Sequence, residues 1–177
     1  VTVLQADMVG FTPLSASHGA EEVLKILGEL FYEFDRKSDA CGVHKLKTIG
    51  DAYIVCCGAF ESESREKAIA TAGASAKRVV SMGLAMQRVV DAKAAEHGVD
   101  LGVRIGIHTG HVMGGIIGTV KFHFDMWGNG VQGAVRMEEL GEKGRVHISN
   151  ATADLISDDV ALAPAHEFDE TFAATYE

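Results

Sequence analysis

HKLKTIGDAYIVCC, residues 44–57, predicts the central element of the fold. His44 to Ile49 and Ala52 to Cys57 are rich in strand-forming residues, and the pair Gly50-Asp51 separates them. Two such runs joined by two turn-forming residues are typical of a β-hairpin. The sequence therefore predicts a hairpin with an acidic side chain, Asp51, at its tip.

The segments on either side of this hairpin predict the rest of the core. An apolar strand, Val1 to Ala6, ends at Asp7, and a helix with one apolar face follows Glu21 and ends by Gly42. After the hairpin come a long helix from Lys67 to about Glu96 and a strand from Leu101 to Ile107. The order βαββαβ favours an α+β fold of the ferredoxin-like type, with helices on one face of the sheet.

The remaining predicted elements are shorter, and residues 60–66 are polar and predict a loop. In chain order the later elements are a stretch punctuated by Gly110, Gly114, Gly115 and Gly118, a strand from Phe122 to Trp127, a helix from Val131 to Leu140, a strand from Arg145 to Ser149, and a short helix through Ile156 with Asn150 as its N-cap. We expect these to form additional C-terminal elements of the same domain.

The size and charge of the chain limit what it can be. Its 177 residues fit one domain, 1–177, and 47% hydrophobic with 23% charged residues is ordinary globular composition. A formal net charge of −9 argues against nucleic acid as a partner, since nucleic-acid-binding surfaces are basic. A polyphosphate ligand stays possible, because bound metal ions reverse the local sign of the charge.

Cysteine usage and hydropathy indicate where the domain works. Cys41, Cys56 and Cys57 are an odd number without the spacing of a disulfide framework, which is typical of a reduced, intracellular domain. No apolar run approaches the roughly 18 residues that a membrane-spanning helix needs. The chain begins at Val1 within a strand-like run, so we expect a piece of a larger protein, whose other parts could include a membrane anchor or a sensor domain.

Two acidic residues are candidates for a metal site. Asp7 ends the first strand and Asp51 lies at the hairpin tip, so a βαββ layout brings both carboxylates to one end of the sheet. Paired carboxylates hold hard divalent cations through oxygen. The backbone N–H groups around Val9, Gly10 and Phe11 would face a phosphate, because glycine permits close approach. Taken alone, an aspartate at a strand end is more often a turn former or a helix cap.

Four segments together resemble the catalytic domains of class III adenylyl and guanylyl cyclases. They are Ala6 to Thr12, Lys45 to Tyr53, Arg104 to Gly110 with Gly114 and Ile117-Gly118 after it, and Asp125 to Asn129 continuing through Ala134 to Arg136-Met137-Glu138. They follow the family's order and cover nearly the whole chain. The resemblance rests on the set, since each segment is weak or moderate evidence by itself.

The resemblance implies a two-metal cyclase reaction. Two Mg²⁺ ions, replaceable by Mn²⁺, would bridge Asp7 and Asp51, with the Met8 backbone carbonyl as a further ligand. One ion would lower the pKa of the ribose 3′-hydroxyl that attacks the α-phosphorus, and the other would neutralise the triphosphate and the leaving pyrophosphate. The residues implied to contact the nucleotide in the first segment are Val9, Gly10, Phe11 and Thr12.

The resemblance also implies roles for two arginines. Arg136 would reach the α-phosphate in the transition state and Arg104 would bind the terminal phosphates, since the planar guanidinium donates two parallel bonds to phosphate. Two departures from the family's pattern bear on turnover. Gln132 stands where the family has an asparagine that orients the ribose, and no lysine or arginine follows Arg145, although the family has a phosphate-binding lysine in a C-terminal hairpin.

Lys47 and Asp125 occupy the two positions that contact the purine in this family. Adenylyl cyclases carry lysine and aspartate there, whereas guanylyl cyclases typically carry glutamate and cysteine or another small residue. Lysine only donates hydrogen bonds and an ionised aspartate only accepts them, which matches N1 and the N6 amino group of adenine. Guanine presents the reverse pattern, so this pair predicts ATP as substrate and cyclic AMP as product.

The family's active sites are shared between two subunits, and this chain carries both sets of residues. We therefore expect a head-to-tail homodimer with two equivalent sites and a nearly inactive monomer. Three alternatives stay open: a guanylyl cyclase, a nucleotide-binding regulatory module with impaired catalysis, and a ferredoxin-like polymerase relative that makes cyclic dinucleotides. Lys47 and Asp125 argue against the first and third, and Asp7 and Asp51 argue against the second.

Overall fold

A seven-stranded sheet is the centre of the fold, and the computed structural model describes residues 1–60, 64–158, 160–164 and 171–174. The strands are β1 (Thr2–Val9), β2 (His44–Ile49), β3 (Ala52–Cys57), β4 (Gly102–Thr109), β5 (Met113–Ile117), β6 (His123–Trp127), β7 (Arg145–Ser149), β8 (Leu162–Pro164) and β9 (Thr171–Ala174). The helices are α1 (Phe11–Ser17), α2 (Ala20–Cys41), α3 (Arg65–Ala70), α4 (Ala72–His97), α5 (Asn129–Glu139) and α6 (Asn150–Ala153). None of the helices in the described ranges is both long and apolar enough to cross a membrane.

The strand order confirms the predicted ferredoxin-like core. The sheet runs β2-β3-β1-β4-β7-β9-β8, and each neighbouring pair among its first four strands is antiparallel. Helix α2 connects β1 to β2, and α4 connects β3 to β4. Strand β7 adds to β4 in parallel, and β9 and β8 continue the sheet as the additional C-terminal elements. Strands β5 and β6 form a separate two-stranded ribbon.

The two faces of this sheet are covered differently. One face, here called the helix face, packs against α4, which in turn packs against α2, and Leu4, Val55 and Ile105 are fully buried there. The opposite face, here called the open face, has a smaller apolar cluster that includes Val3 and Ile54. Helix α5 and the ribbon of β5 and β6 cover this second cluster.

Helix α1 is absent from the sequence prediction. Gly10 adopts a left-handed conformation with φ 93°, which turns the chain out of β1, and α1 begins at the next residue. Pro13 lies in the first turn of α1, where a missing N–H breaks no intrahelical bond. The sequence prediction placed no helix between Asp7 and Glu21, whereas here Gly10 is the N-cap of a short one.

Three other boundaries differ from prediction. The predicted loop over 60–66 and the single helix from Lys67 are corrected by α3, which Ser64 caps by accepting a hydrogen bond from the Lys67 amide, and by the separate α4. The glycine-punctuated stretch contains strand β5, which pairs with β6. Ser149, and not Asn150, is the N-cap of α6, which ends at Ala153.

Candidate functional site

The two predicted metal-binding carboxylates lie at the same end of the sheet. Strand β1 pairs with β3 up to Ala6 opposite Tyr53, so Asp7 lies beside the start of β3, next to Asp51. Gly50, with φ 60°, makes the left-handed turn that puts Asp51 at the hairpin tip. Burial raises the pKa of Asp7, the carboxylates of Asp51 and Glu138 raise it further, and the Arg104 guanidinium opposes them. The sequence prediction placed this convergence correctly.

The donor set at this end of the sheet fits a hard divalent cation. Three carboxylates and one guanidinium influence each other here: burial is the largest cause of the raised pKa of Asp7, and the nearby carboxylates of Asp51 and Glu138 raise it further. Carboxylate oxygens are the ligands that Mg²⁺ prefers. The β1–β3 ladder ends at Ala6, and Met8 lies beyond it with a buried side chain, so its predicted contribution would come from the backbone carbonyl.

The segment after β1 is built around Gly10. A Cβ on this residue would come within 2.3 Å of the Asp100 carbonyl oxygen, and its φ of 93° is unfavourable for other residues, so the position requires glycine. Val9 ends β1, while Phe11 and Thr12 are the first residues of α1. First-turn amides of a helix lack intrahelical acceptors, which leaves those of Phe11 and Thr12 available to a ligand.

Arg104 lies directly opposite Asp7 in the β1–β4 register. Its Nη2 is 3.4 Å from Asp7 Oδ2, while its Nε donates to Glu138 Oε1 at 2.8 Å. The side chain of Arg104 is 36% exposed and that of Glu138 only 5%. Arg104 was predicted to bind the terminal phosphates, whereas Glu138 was given no role. Glu138 follows Ala134 by one helical turn, so the two lie on the same buried face of α5, and an acid on such a face was the signal that could have identified it.

Lys47 and Asp125, predicted to contact the purine, lie in contact with each other. Lys47 Nζ is 2.7 Å from Asp125 Oδ1 and 2.6 Å from Oδ2, and the Met126 amide also donates to Oδ1. Burial would raise the pKa of Asp125, but the hydrogen bonds from Lys47 and Met126 prevail and hold it below its usual value. The Asp125 carboxyl is therefore ionised at neutral pH.

A β-bulge places Lys47 on the open face. The β2–β3 register passes from Lys45 opposite Val55 to Lys47 opposite Ile54, with Leu46 as the extra residue. Val55 belongs to the helix-face core and Ile54 to the open-face cluster, so the two lysines lie on opposite faces. Without the bulge, strict alternation would put them on the same face.

Gln132 and Arg136 lie one turn apart on the exposed side of α5. The Arg136 side chain is 64% exposed, and its Nη1 is 3.8 Å from Glu139 Oε2. Both side chains are available to something outside this chain. Farther along, β8 and β9 form a C-terminal hairpin, and no lysine or arginine occurs after Arg145.

Comparison with protein families supports the resemblance. The model of the adenylate and guanylate cyclase catalytic domain matches residues 1–171. Adenylate cyclase type 9 of Gallus gallus is 37% identical over 158 residues, which is 89% of this chain and 11% of that protein. The membrane guanylyl cyclase of Dictyostelium discoideum is 30% identical over 156 residues, 88% of this chain and 10% of that protein. The chain thus spans about a tenth of the length of these curated relatives.

A solved structure gives the same result for the fold. The adenylyl cyclase CyaB from P. aeruginosa superposes with a TM-score of 0.86 at 25% sequence identity, covering 99% of this chain and 93% of that chain. The similarity extends beyond the ferredoxin-like core, since it takes in nearly the whole chain.

Proposed function

This chain belongs to the family of class III nucleotide cyclase catalytic domains, and from that premise we propose that it is an adenylate cyclase. It converts ATP to 3′,5′-cyclic AMP and pyrophosphate: the bond from the ribose 3′-oxygen to the α-phosphorus forms and the bond to the leaving pyrophosphate breaks. The observation that carries the choice of ATP is the ion pair between Lys47 and Asp125.

The ion pair presents a donor and an acceptor side by side. Lysine has three N–H donors, and the two hydrogen bonds to Asp125 leave one for adenine N1. The carboxylate has lone pairs left to accept from the N6 amino group. The Lys47 and Asp125 side chains are only 25% and 15% exposed, so a base that left them unpaired would be disfavoured.

The acidic end of the sheet supplies the metal ligands. Class III cyclase catalytic domains are metal-dependent, and Asp7, Asp51 and the Met8 carbonyl are the proposed ligands here. Two bound Mg²⁺ ions would activate the ribose 3′-hydroxyl and neutralise the triphosphate. The amides at the start of α1 and the Arg104 guanidinium bind phosphate oxygens, which fixes the α-phosphorus for in-line attack.

Helix α5 supplies the transition-state contacts. Arg136 donates to the α-phosphate as negative charge builds up on it, and Gln132 orients the ribose with an amide one methylene longer than the family's asparagine. Both side chains are exposed in one chain, which supports the proposal that they complete a site on a second subunit.

A head-to-tail homodimer explains an apolar surface on the ribbon. Six large hydrophobic residues of the ribbon and its connection are between 42% and 90% exposed: Met113, Ile116, Ile117, Val120, Phe122 and Trp127. Contiguous exposed apolar surface of this kind marks an interaction site. We propose that a second copy covers it, and that regulatory or sensor domains occupy other parts of the parent protein.

Two alternatives have specific support. Guanylyl cyclases are among the relatives, which favours GTP, but the Lys47–Asp125 pair opposes guanine. Gln132 and the lack of lysine or arginine after Arg145 favour a nucleotide-binding domain with impaired catalysis. Incubating the purified protein with ATP or GTP, each with Mg²⁺ or Mn²⁺, and identifying the cyclic product by mass spectrometry separates the three. We expect cyclic AMP; cyclic GMP alone, or no cyclic product, would refute the proposal.

A further inference from the structure

We propose that Glu138 is a positioning residue that holds the Arg104 guanidinium away from Asp7 and toward the triphosphate, an inference that rests on the proposed function. Glu138 lies on α5, and its side chain is 5% exposed. A carboxylate is seldom buried to this extent unless cations or hydrogen-bond donors pair with it. The partners of Glu138 therefore show what the residue does.

Glu138 has the stronger hold on Arg104. Its Oε1 lies 2.8 Å from both Nε and Nη2 of Arg104, whereas Asp7 Oδ2 lies 3.4 Å from Nη2. Gln5 Nε2 donates to the other Glu138 oxygen at 3.4 Å. Two short contacts along one edge of the guanidinium fix its plane, since the group is flat and its donors are rigidly arranged.

Close packing of the α5 and β4 backbones places Glu138 within reach of Arg104. Gly106 lies two residues after Arg104 on the same face of β4, and a Cβ there would come within 2.0 Å of the Glu138 amide nitrogen and 2.3 Å of the Ala134 carbonyl oxygen. Helix α5 therefore packs directly on the β4 backbone, which brings Glu138 to Arg104. Gln5, opposite Gly106 in the register, joins from β1.

Without the Glu138 carboxylate, Asp7 is the one acid among the described residues that still forms an ion pair with Arg104. Asp7 would then draw the guanidinium toward itself, because the two groups are already 3.4 Å apart. That movement would take the cation from the phosphates and neutralise a proposed metal ligand. Glu138 thus keeps two oppositely charged functional groups, Arg104 and Asp7, from pairing fully.

The test is a double-mutant cycle read by ligand binding in the full chain. Binding of 3′-deoxyATP, which lacks the attacking hydroxyl, is measured calorimetrically at saturating Mg²⁺ for the unaltered protein, Glu138→Gln, Arg104→Ala and the double variant. We expect Glu138→Gln to weaken binding about tenfold, as loss of a charged hydrogen-bond partner does. In the Arg104→Ala background the same change should have no effect beyond a factor of about two.

Further measurements distinguish positioning from a structural role. Binding of 3′-deoxyAMP, which lacks the terminal phosphates, should be unchanged by Glu138→Gln, and Glu138→Asp, which keeps the charge, should retain more 3′-deoxyATP binding than Glu138→Gln. Glu142→Gln, an exposed glutamate paired with Arg145, is the matched control and should change nothing. Thermal unfolding verifies that each variant is folded.

The outcomes separate this inference from the proposed function. Equal weakening of both ligands, an additive cycle, or equal losses in Glu138→Asp and Glu138→Gln would overturn the positioning role while leaving an ATP-binding protein. Failure of the unaltered protein to bind 3′-deoxyATP would overturn the proposed function and this inference with it.

Discussion

The helix face and the open face of the sheet are built from alternating residues of the same strands, yet they differ in burial and in charge. On the helix face, Leu4, Val55 and Ile105 are fully buried beneath α4 and α2. On the open face, the neighbours in the same strands include Asp7 and Arg104, both about one-third exposed. The period of two along a strand is what permits this division.

Stability and chemistry are thus separated on the two sides of one sheet. The helix face provides most of the buried apolar surface, and that surface is the main stabilising contribution. The open face carries the charged groups Asp7, Arg104 and Lys47, and the ribbon that covers it carries Asp125. Burying these groups in one chain would be costly without partners. Changes on the two faces should therefore affect different measurements.

The largest expected effect is on the open face, at Asp51. Asp51→Ala removes a proposed metal ligand and should lower kcat/KM by at least about a thousandfold, with unchanged thermal unfolding. Asp7→Ala should behave in the same way. Asp91→Ala, at an exposed position of α4, is the matched control and should keep full activity. Near-normal activity in either site variant would show that the metal assignment is wrong.

Mixing two inactive chains tests whether the open face is completed by a second copy. Asp51→Ala and Arg136→Ala should each be inactive alone. When they are mixed, half of the dimers are heterodimers with one intact site of two, so activity should recover to about a quarter of normal. If heterodimers form, as native mass spectrometry would reveal, and no activity returns, the sites are not shared.

A change on the helix face should affect stability alone. Phe34 is fully buried, with its ring 5.3 Å from that of Tyr53, and Phe34→Ala should lower the free energy of unfolding by about 3–5 kcal/mol. Urea unfolding measures this change, and activity per folded molecule should persist. Tyr32→Ala, 63% exposed on the same helix, should change stability by less than about 0.5 kcal/mol. Equal effects at the two positions would contradict the packing described here.

The smallest expected effect is on the pH dependence of stability, through the contacts of Asp35 on α2 with Lys45 and Tyr53 of the hairpin. Burial would raise the pKa of Asp35, but hydrogen bonds from Lys45 and Tyr53 prevail and hold it below its usual value. A lowered pKa stabilises the fold above the ordinary value of about 4, and that contribution disappears as pH falls through the folded-state pKa.

Asp35→Asn should therefore lower the free energy of unfolding at pH 7 by no more than about 1 kcal/mol, because Asp35 is half exposed. The gap to the unaltered protein should close as pH falls below about 4 and through the lowered folded-state pKa of Asp35. A gap that grew on acidification would have the wrong sign for this account.

The core and the acidic end of the sheet were predictable from the sequence because they follow from local pattern and strand order. The hairpin at Gly50-Asp51 and the βαββαβ order suffice to bring Asp7 beside Asp51. Strand β5 was not predicted because Met113–Ile117 contains two glycines and pairs only with β6, outside the main sheet. Neither side of this strand is buried, so its sequence does not show the alternation of apolar and polar residues that marks a strand.

Two features of the site depend on tertiary contacts that periodicity does not contain. The bulge at Leu46 turns Lys47 to the open face, and the pattern of apolar and polar residues in β2 does not indicate an extra residue there. The contact of Glu138 with Arg104 requires α5 to lie on β4, which depends on the missing side chain of Gly106. Both arise where two elements meet, whereas the sequence pattern describes each element separately.

In the proposed function, Lys47 on the open face and Asp125 on the ribbon that covers it make this domain choose ATP. The direct test is the ratio of kcat/KM for ATP over GTP in the unaltered protein and in the double variant Lys47→Glu with Asp125→Cys. The glutamate accepts from guanine N1–H and repels adenine N1, and the cysteine removes the acceptor for N6. Lys45→Glu, the same change on the helix face, is the matched control. The account predicts that the unaltered protein and the control prefer ATP and that the double variant lowers the ratio at least about tenfold; an unaltered protein that prefers GTP, or a double variant with an unchanged ratio, would contradict it.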